Sequence, residues 1–264
     1  MMRSVFLKTL YDRRWFMLGW SIAFLALAAL LVSFFPAMKV SGLDELVKNM
    51  PSAFKGLVGD LRLLASFDTY IASQLFDIRL PLIAGIMAII LGLGLSSNEE
   101  ESGELRTLTA LPVSRVKIIL QKWLALVVIG GVVMLAIAIG VYVTMPFLDN
   151  VSIAPEAMVQ LLLLSWLLFV TFGTVPFAAG MAFGRRSAAM AAGVIIVIGS
   201  FILSTFGSAV DWLSDYEKLS LLHYFPAVDV VQNGIQWSDV AILGGIAVAQ
   251  LILAVLRFRR RDIA

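Results

Sequence analysis

The chain has 264 residues, of which 60% are hydrophobic and 14% charged, with a mean hydropathy of +0.94 and a formal net charge of +2. Soluble domains are roughly 45–50% apolar, so this composition excludes an ordinary water-soluble fold. The absence of cysteine excludes disulfides, Cys-ligated zinc, iron–sulfur clusters and thiol catalysis, and no nucleic-acid partner is expected.

Residues 1–14 place Met2, Val5, Phe6 and Leu10 on one helical face, with Arg3, Lys8 and Arg14 elsewhere. This predicts a short elbow helix lying in the inner membrane interface, its cations near anionic headgroups. The following DRRWFML resembles a twin-arginine export signal only superficially. The apolar run after it is too long for a signal core and no small-residue cleavage site follows, so Arg13 and Arg14 are read as anchors of the first span.

Six blocks without Asp, Glu, Lys, Arg or His occupy residues 15–35, 80–98, 123–148, 157–184, 187–210 and 240–256. A hydrocarbon core of roughly 30 Å needs about 20 helical residues. The prediction is an all-α membrane protein, one domain over 1–264, with six transmembrane helices near 15–35, 80–98, 120–146, 157–184, 187–210 and 239–257. Between the first two spans, Leu43, Leu46, Val47 and Met50, then Phe54, Leu57, Val58 and Leu61, recur at helical spacing. They predict two outer interfacial helices, which cap the outer mouth or hold an outer partner. Small residues at helix-packing spacing, Gly180/Gly184 and Ala189/Gly193, let backbones approach closely in lipid. Between the last two spans, Trp212, Tyr216, Tyr224 and Trp237 suit the headgroup region and predict a re-entrant or interfacial hairpin.

An even number of spans puts both ends on one side. If that side is cytoplasmic, 14 of the 20 Lys and Arg residues lie inside, in the segments around 3–14, 106–122, 185–186 and 257–261, while 12 of the 18 acids lie outside. Basic residues resist translocation, so both termini are expected in the cytoplasm.

The sequence contains no GxxxxGK[ST], HExxH or GxSxG, so neither a phosphate loop nor a familiar hydrolase motif is present. The single histidine, His223, reads as a hydrogen-bonded interfacial residue. The apolar blocks hold no ionisable group of the kind that ion-coupled carriers place at membrane depth. Their polar atoms, at Ser21, Ser165, Thr171, Thr174, Ser200, Ser204 and Gln250 among others, suit bonds between helices. A chain that does work with such spans needs a partner to supply the energy.

The one strongly polar segment between spans two and three is EEESGELRTLTALPVSR, residues 99–115. Ser97 and Glu100 fit a capping box, and Glu99, Glu100 and Glu101 suit the positive end of a helix dipole. Leu105, Leu108 and Leu111 form an apolar stripe, Pro112 stops the helix and Ser114 caps the next. An amphipathic helix of this kind docks in a partner's groove through its leucines, or is a solvated connector.

This segment resembles the loop between the second and third helices of ABC-2 type transporter permeases, roughly E-x-x-x-G-T-L-x-x-L-L-x-x-P-[VI]-S-R. Glu99, Gly103, Leu105, Leu108, Pro112, Val113, Ser114 and Arg115 match; Glu104 stands where Thr is usual and Thr109 where the second Leu is usual. The elbow, the six spans and the ending FRRRDIA extend the resemblance along the chain. It implies a multi-pass permease of a prokaryotic cell membrane, not an enzyme by itself and without a cofactor of its own. Two such chains pair, as a homodimer rather than a heterodimer because symmetric pairing is the commoner arrangement. Two cytoplasmic ATPase subunits carry ATP and Mg. The coupling helix meets the ATPase through Glu99, Glu100, Glu104, Leu105, Arg106 and Leu108, with Pro112 and Arg115 holding its exit. Met87, Phe201 and Ser204 are nominated for the pathway. The expected cargo is hydrophobic or amphipathic: a peptide, drug or lipid. The alternative is a membrane-embedded assembly or signalling component that couples an ATPase to an outer partner and moves no small molecule.

Overall fold

The computed structural model describes residues 4–40, 66–109, 113–149, 151–207, 213 and 215–261. The two outer helices expected within 43–64, and Pro112, lie outside them. Among the described residues every regular element is helical. Helix α1 (Val5–Asp12) starts at Ser4, whose Oγ accepts the Leu7 N–H at 3.2 Å. It buries Val5 and Thr9 and leaves Leu7 and Tyr11 exposed. Helix α2 (Arg14–Val40) follows after one residue. The second long segment is α3 (Phe67–Ile71), a π-helical stretch (Ala72–Arg79) and α4 (Leu80–Gly94) in direct succession. Two short helices, α5 (Ser97–Glu101) and α6 (Glu104–Thr109), precede α7 (Arg115–Thr144), α8 (Pro155–Phe183), α9 (Arg186–Phe206), α10 (Ala227–Asn233) and α11 (Trp237–Arg260).

Among the described residues, six helical segments are long and apolar enough to cross a membrane: Arg14–Ala37, Phe67–Glu101, Arg115–Phe147, Pro155–Phe183, Arg186–Phe206 and Trp237–Arg260. The architecture is an all-α membrane protein with six transmembrane helices. Helix α8 is central and packs against α4, α7, α9 and α11, while α2 packs along α7. Residues such as Ile22, Leu30, Ile195, Ile198, Ile252 and Leu253 face outward, as lipid-facing positions do.

Because lipid is as apolar as leucine, helices in a membrane associate through close packing and hydrogen bonds. Gly92 of α4 shows the first. A Cβ there would stand 2.5 Å from the Gly173 carbonyl oxygen and 2.8 Å from Pro176 Cγ, so the glycine admits α8 at the point where Pro176 interrupts its hydrogen-bond ladder. A Cβ on Gly193 of α9 would stand 3.3 Å from Pro176 Cβ, so this glycine too makes room for the ring. The second is carried by Trp123 Nε1 donating to Thr174 Oγ1 (2.9 Å), Trp166 Nε1 to the Val127 carbonyl (2.8 Å) and Thr171 Oγ1 to the Leu243 carbonyl (3.1 Å). Ser165 bonds within its own helix, to the Leu161 carbonyl at 2.6 Å. Ser21 Oγ and Gln250 Oε1 are buried without a partner among the described residues.

The second and third helices run further than their apolar blocks. The second reaches back to Phe67 and so contains Asp77 and Arg79; the third begins at Arg115 and contains the wholly buried Lys122. The expectation of membrane helices free of ionisable groups is therefore corrected. A hydropathy block stops at a charge, whereas a helix continues through one that finds a partner. Asp77 Oδ1 accepts the Ala227 N–H at 2.8 Å, and Arg79 Nη1 donates to Gln74 Oε1 at 2.8 Å.

The segment before α11 folds into the helix ends rather than lying on them. Leu221, Leu222, Phe225, Ala227 and Val230 are buried. Ser200 of α9 holds the segment by accepting from Ser220 Oγ on its carbonyl (2.8 Å) and from the Leu221 N–H on its Oγ (3.2 Å).

Candidate functional site

At the end of the bundle holding residues 4 and 261, several helix termini meet the acidic segment. The last carbonyls of a helix have no partner within it, and their partial negative charge favours cations. The arrangement follows. Arg13 donates to the Gly94 carbonyl, and Lys122 Nζ to the Leu95 carbonyl at 3.3 Å, both at the end of α4. Arg261 donates to the Met181 carbonyl at 3.2 Å near the end of α8. Arg115 donates to the carbonyls of Phe258 (3.4 Å) and Arg261 (2.5 Å) at the end of α11. The two arginines read as a pair thus separate. Arg13 turns inward, while Arg14 stays outside, its guanidinium 3.7 Å from the Tyr11 ring centre.

The four glutamates of the segment reach four helical elements. Glu99 pairs with Lys122 of α7, and Glu100 with Arg261 just past α11. Glu101 lies 4.0 Å from Arg186 at the start of α9, and Glu104 3.9 Å from Lys8 of α1. Burial ranks them. Lys122 is fully enclosed and the Glu99 side chain is 12% exposed, whereas the Glu101 and Glu104 pairs are about half exposed and belong to the class worth about 0–1 kcal/mol. The Lys8 pKa is raised above the ordinary lysine value, first by its hydrogen bond to Asp12 and then by the nearby carboxylates.

The backbone that presents these groups is broken twice. Ser96 turns the chain after α4, its Oγ donating to the Gly92 carbonyl at 2.7 Å, and it makes no side-chain cap on α5. Ser97 Oγ is buried without a partner among the described residues, so the expected Ser97–Glu100 capping box does not form; Glu100 is drawn to Arg261 instead. Gly103 adopts φ +80°, a left-handed turn that favours glycine and separates α5 from α6. Ser114 does cap α7, accepting the Lys117 N–H at 3.4 Å.

Of the leucine stripe, Leu105 and Leu108 face their own chain, and Leu111 lies outside the described residues. Leu105 is fully buried in the main core, and Leu108 packs with Val5 and Ile118. Glu101, Ser102, Glu104, Arg106 and Thr107 form the exposed side. Glu99, Glu100, Glu104, Leu105, Arg106, Leu108 and Arg115 are thus brought to one end of the molecule, but only Glu104 and Arg106 of them are turned outward. Sequence reading counted Lys122 and Arg261 merely as inner-side charge and Arg13 as an anchor of the first span. The sequence carries no local signal for these pairings, since Lys122 stands 23 positions from Glu99 and Arg261 161 from Glu100.

At the opposite end, Phe201 and Ser204 line a cavity of about 560 Å³ together with Ser73, Asp77 and His223. Met87 is not part of it; the side chain is fully buried in the core on α4.

The sequence profile described as ABC-2 family transporter protein matches residues 6–263. The chain belongs to the ABC-2 transporter family. Comparison with curated proteins gave no match. ABC-2 permeases are membrane subunits, generally non-catalytic, that generally work with an ATPase subunit. The six apolar helices and the family together make this chain a multi-pass permease subunit.

Proposed function

We propose that this ABC-2 permease exports a hydrophobic or amphipathic peptide, drug or lipid, driven by ATP hydrolysed on two separate ATPase subunits, with α5 and α6 as the coupling element. The orientation that fits places both ends of the chain in the cytoplasm of a prokaryotic cell, where the basic residues gather. Two chains pair around the pathway, as a homodimer. ATP and Mg belong to the partner.

One observation carries this reading: the acidic segment is tied to α1, α7, α9 and the end of α11 by its own ion pairs. A push on its exposed side is passed to four elements at once, including three that cross the membrane. Such a network is suited to a shift between two packings that a bound partner biases. The docking surface then consists of Glu101, Ser102, Glu104, Arg106 and Thr107, with the leucines holding the segment from behind.

The test is capture of the tagged chain from native membranes in mild detergent, scored for a co-purifying ATPase. Wild type is expected to retain the ATPase, and Arg106→Glu/Thr107→Glu to lose it while eluting as the same folded species. A folded wild type that brings down no ATPase overturns the reading. A complex that hydrolyses ATP yet moves no cargo favours the assembly or signalling alternative.

A further inference from the structure

A second feature of the basic end does not belong to the coupling segment. A cavity of about 560 Å³ opens between the ends of α8 and α11, lined by Ala182, Leu253, Leu256, Arg257, Arg260 and Arg261. A neighbouring cavity of about 420 Å³ shares Ala182 and adds Phe183, Arg185 and Ala188 at the start of α9. Because both are lined by Ala182, they are read as one groove across the end of α8. Its walls are layered. Leu253, Leu256 and Phe183 leave 62%, 49% and 62% of their surface exposed, the two leucines lying one turn before the arginines along α11. One turn further along α11, at i+4, stand Arg257 and Arg260, because residues three and four apart share a helix face.

Among the described residues the lining contains four arginines and no carboxylate. Arg261 is already held by Glu100. Arg185, Arg257 and Arg260 have neither an ion pair nor a hydrogen-bond acceptor among the described residues, and all three are exposed. An apolar trough ending in a fork of guanidinium groups at the membrane boundary matches one chemistry: an acyl chain ending in an anionic phosphate ester. Planar guanidinium binds phosphate oxygens in pairs, and basic pockets at helix ends on the cytoplasmic side are suited to anionic headgroups. We infer that this groove is a binding site for one anionic phospholipid, with Arg257 and Arg260 on the phosphate, Arg185 at its edge, and Leu253, Leu256 and Phe183 along the chain. The inference stands apart from the ATPase reading, since it needs only this chain and a membrane.

Arg259 supplies the control. It lies on the same helix at the same depth and is equally exposed, but does not line the groove. The experiment is native mass spectrometry of the full chain titrated with palmitoyl-oleoyl phosphatidylglycerol or phosphatidylcholine. The expected result is one phosphatidylglycerol retained per chain in preference to phosphatidylcholine. Arg257→Gln/Arg260→Gln should weaken it about 25-fold, from two guanidinium groups at about fivefold each, and Arg259→Gln should leave it nearly unchanged. Ala182→Trp, which fills the trough and keeps every charge, should also weaken it. Equal binding of the two lipids, or equal loss in Arg259→Gln, overturns the site in favour of general surface charge. Phosphatidylglycerol binding unchanged in the double variant, with loss of a captured ATPase or of self-association, overturns it too and assigns the groove to a protein.

Discussion

Among single residues, Lys122 is the most constrained. Its ammonium is enclosed on α7, where its bonds go to Glu99 and the Leu95 carbonyl. Removing one member of a buried pair leaves the other charged and unpaired, which typically costs about 3–5 kcal/mol, whereas replacing both by groups of similar shape is far less costly. Lys122→Met is therefore expected to lower the thermal unfolding midpoint in detergent markedly, and Glu99→Gln/Lys122→Met to recover most of the loss. Equal midpoints for the two variants would show that the pair does not hold the segment. Gly184 is constrained by backbone and neighbour together: its φ is +64°, and a Cβ would collide with the Arg261 guanidinium. The residue that ends α8 thus also makes room for the cation that binds Glu100.

Among elements, the second transmembrane helix links both ends of the molecule. Its basic end carries the acidic segment, and its opposite end carries Asp77 in the π-helical stretch, bonded to the first N–H of α10. π-Helical turns are uncommon and re-aim the side chains that follow. Here Asp77 serves as a cap donated by another helix, since Pro226 at the cap position makes no side-chain bond. Loss of a helix cap costs about 1 kcal/mol, so Asp77→Ala should free α10 without unfolding the bundle. Hydrogen exchange over 227–233 is expected to rise while α8 stays protected; unchanged exchange there would mean that burial of Ala227 and Val230 suffices. Two elements were legible in the sequence in kind but not in contact. The segment 97–109 reads as a capped amphipathic helix, and helical it is, but its leucines turn inward. A leucine stripe marks which face is apolar and cannot say whether that face meets a partner or its own chain.

For the whole molecule, the ion pairs at the basic end predict concerted motion. The chain has no cysteine, so Lys8→Cys/Glu104→Cys would offer a short bifunctional thiol reagent a single pair, bridging α1 and α6 where the two side chains stand 3.9 Å apart. On the proposed coupling scheme, in which α1 and α6 move together, cross-linking should leave ATP turnover by the complex as it is in the same double variant before the reagent is added. A several-fold fall in turnover after complete cross-linking would show that α1 and α6 separate during the cycle and that the Lys8–Glu104 pair does not pass the push on.

Helix number, helix type and the place of the polar segment were determined by the sequence alone, because they depend on local properties: the length of an apolar run, the residues that interrupt it, and a Gly or Ser at its ends. The family resemblance was readable for the same reason, since its motif is contiguous. Only the tertiary structure decided which charges are structural. Glu99 and Lys122 lie 23 positions apart, and Glu100 and Arg261 161 apart. No periodicity connects such pairs; helix packing brings them together, and burial then makes their pairing obligatory. The sequence showed that basic residues gather at one end. That some of them close the carbonyls of α4, α8 and α11, and that others stand unpaired above an apolar groove, followed only from where the helices end.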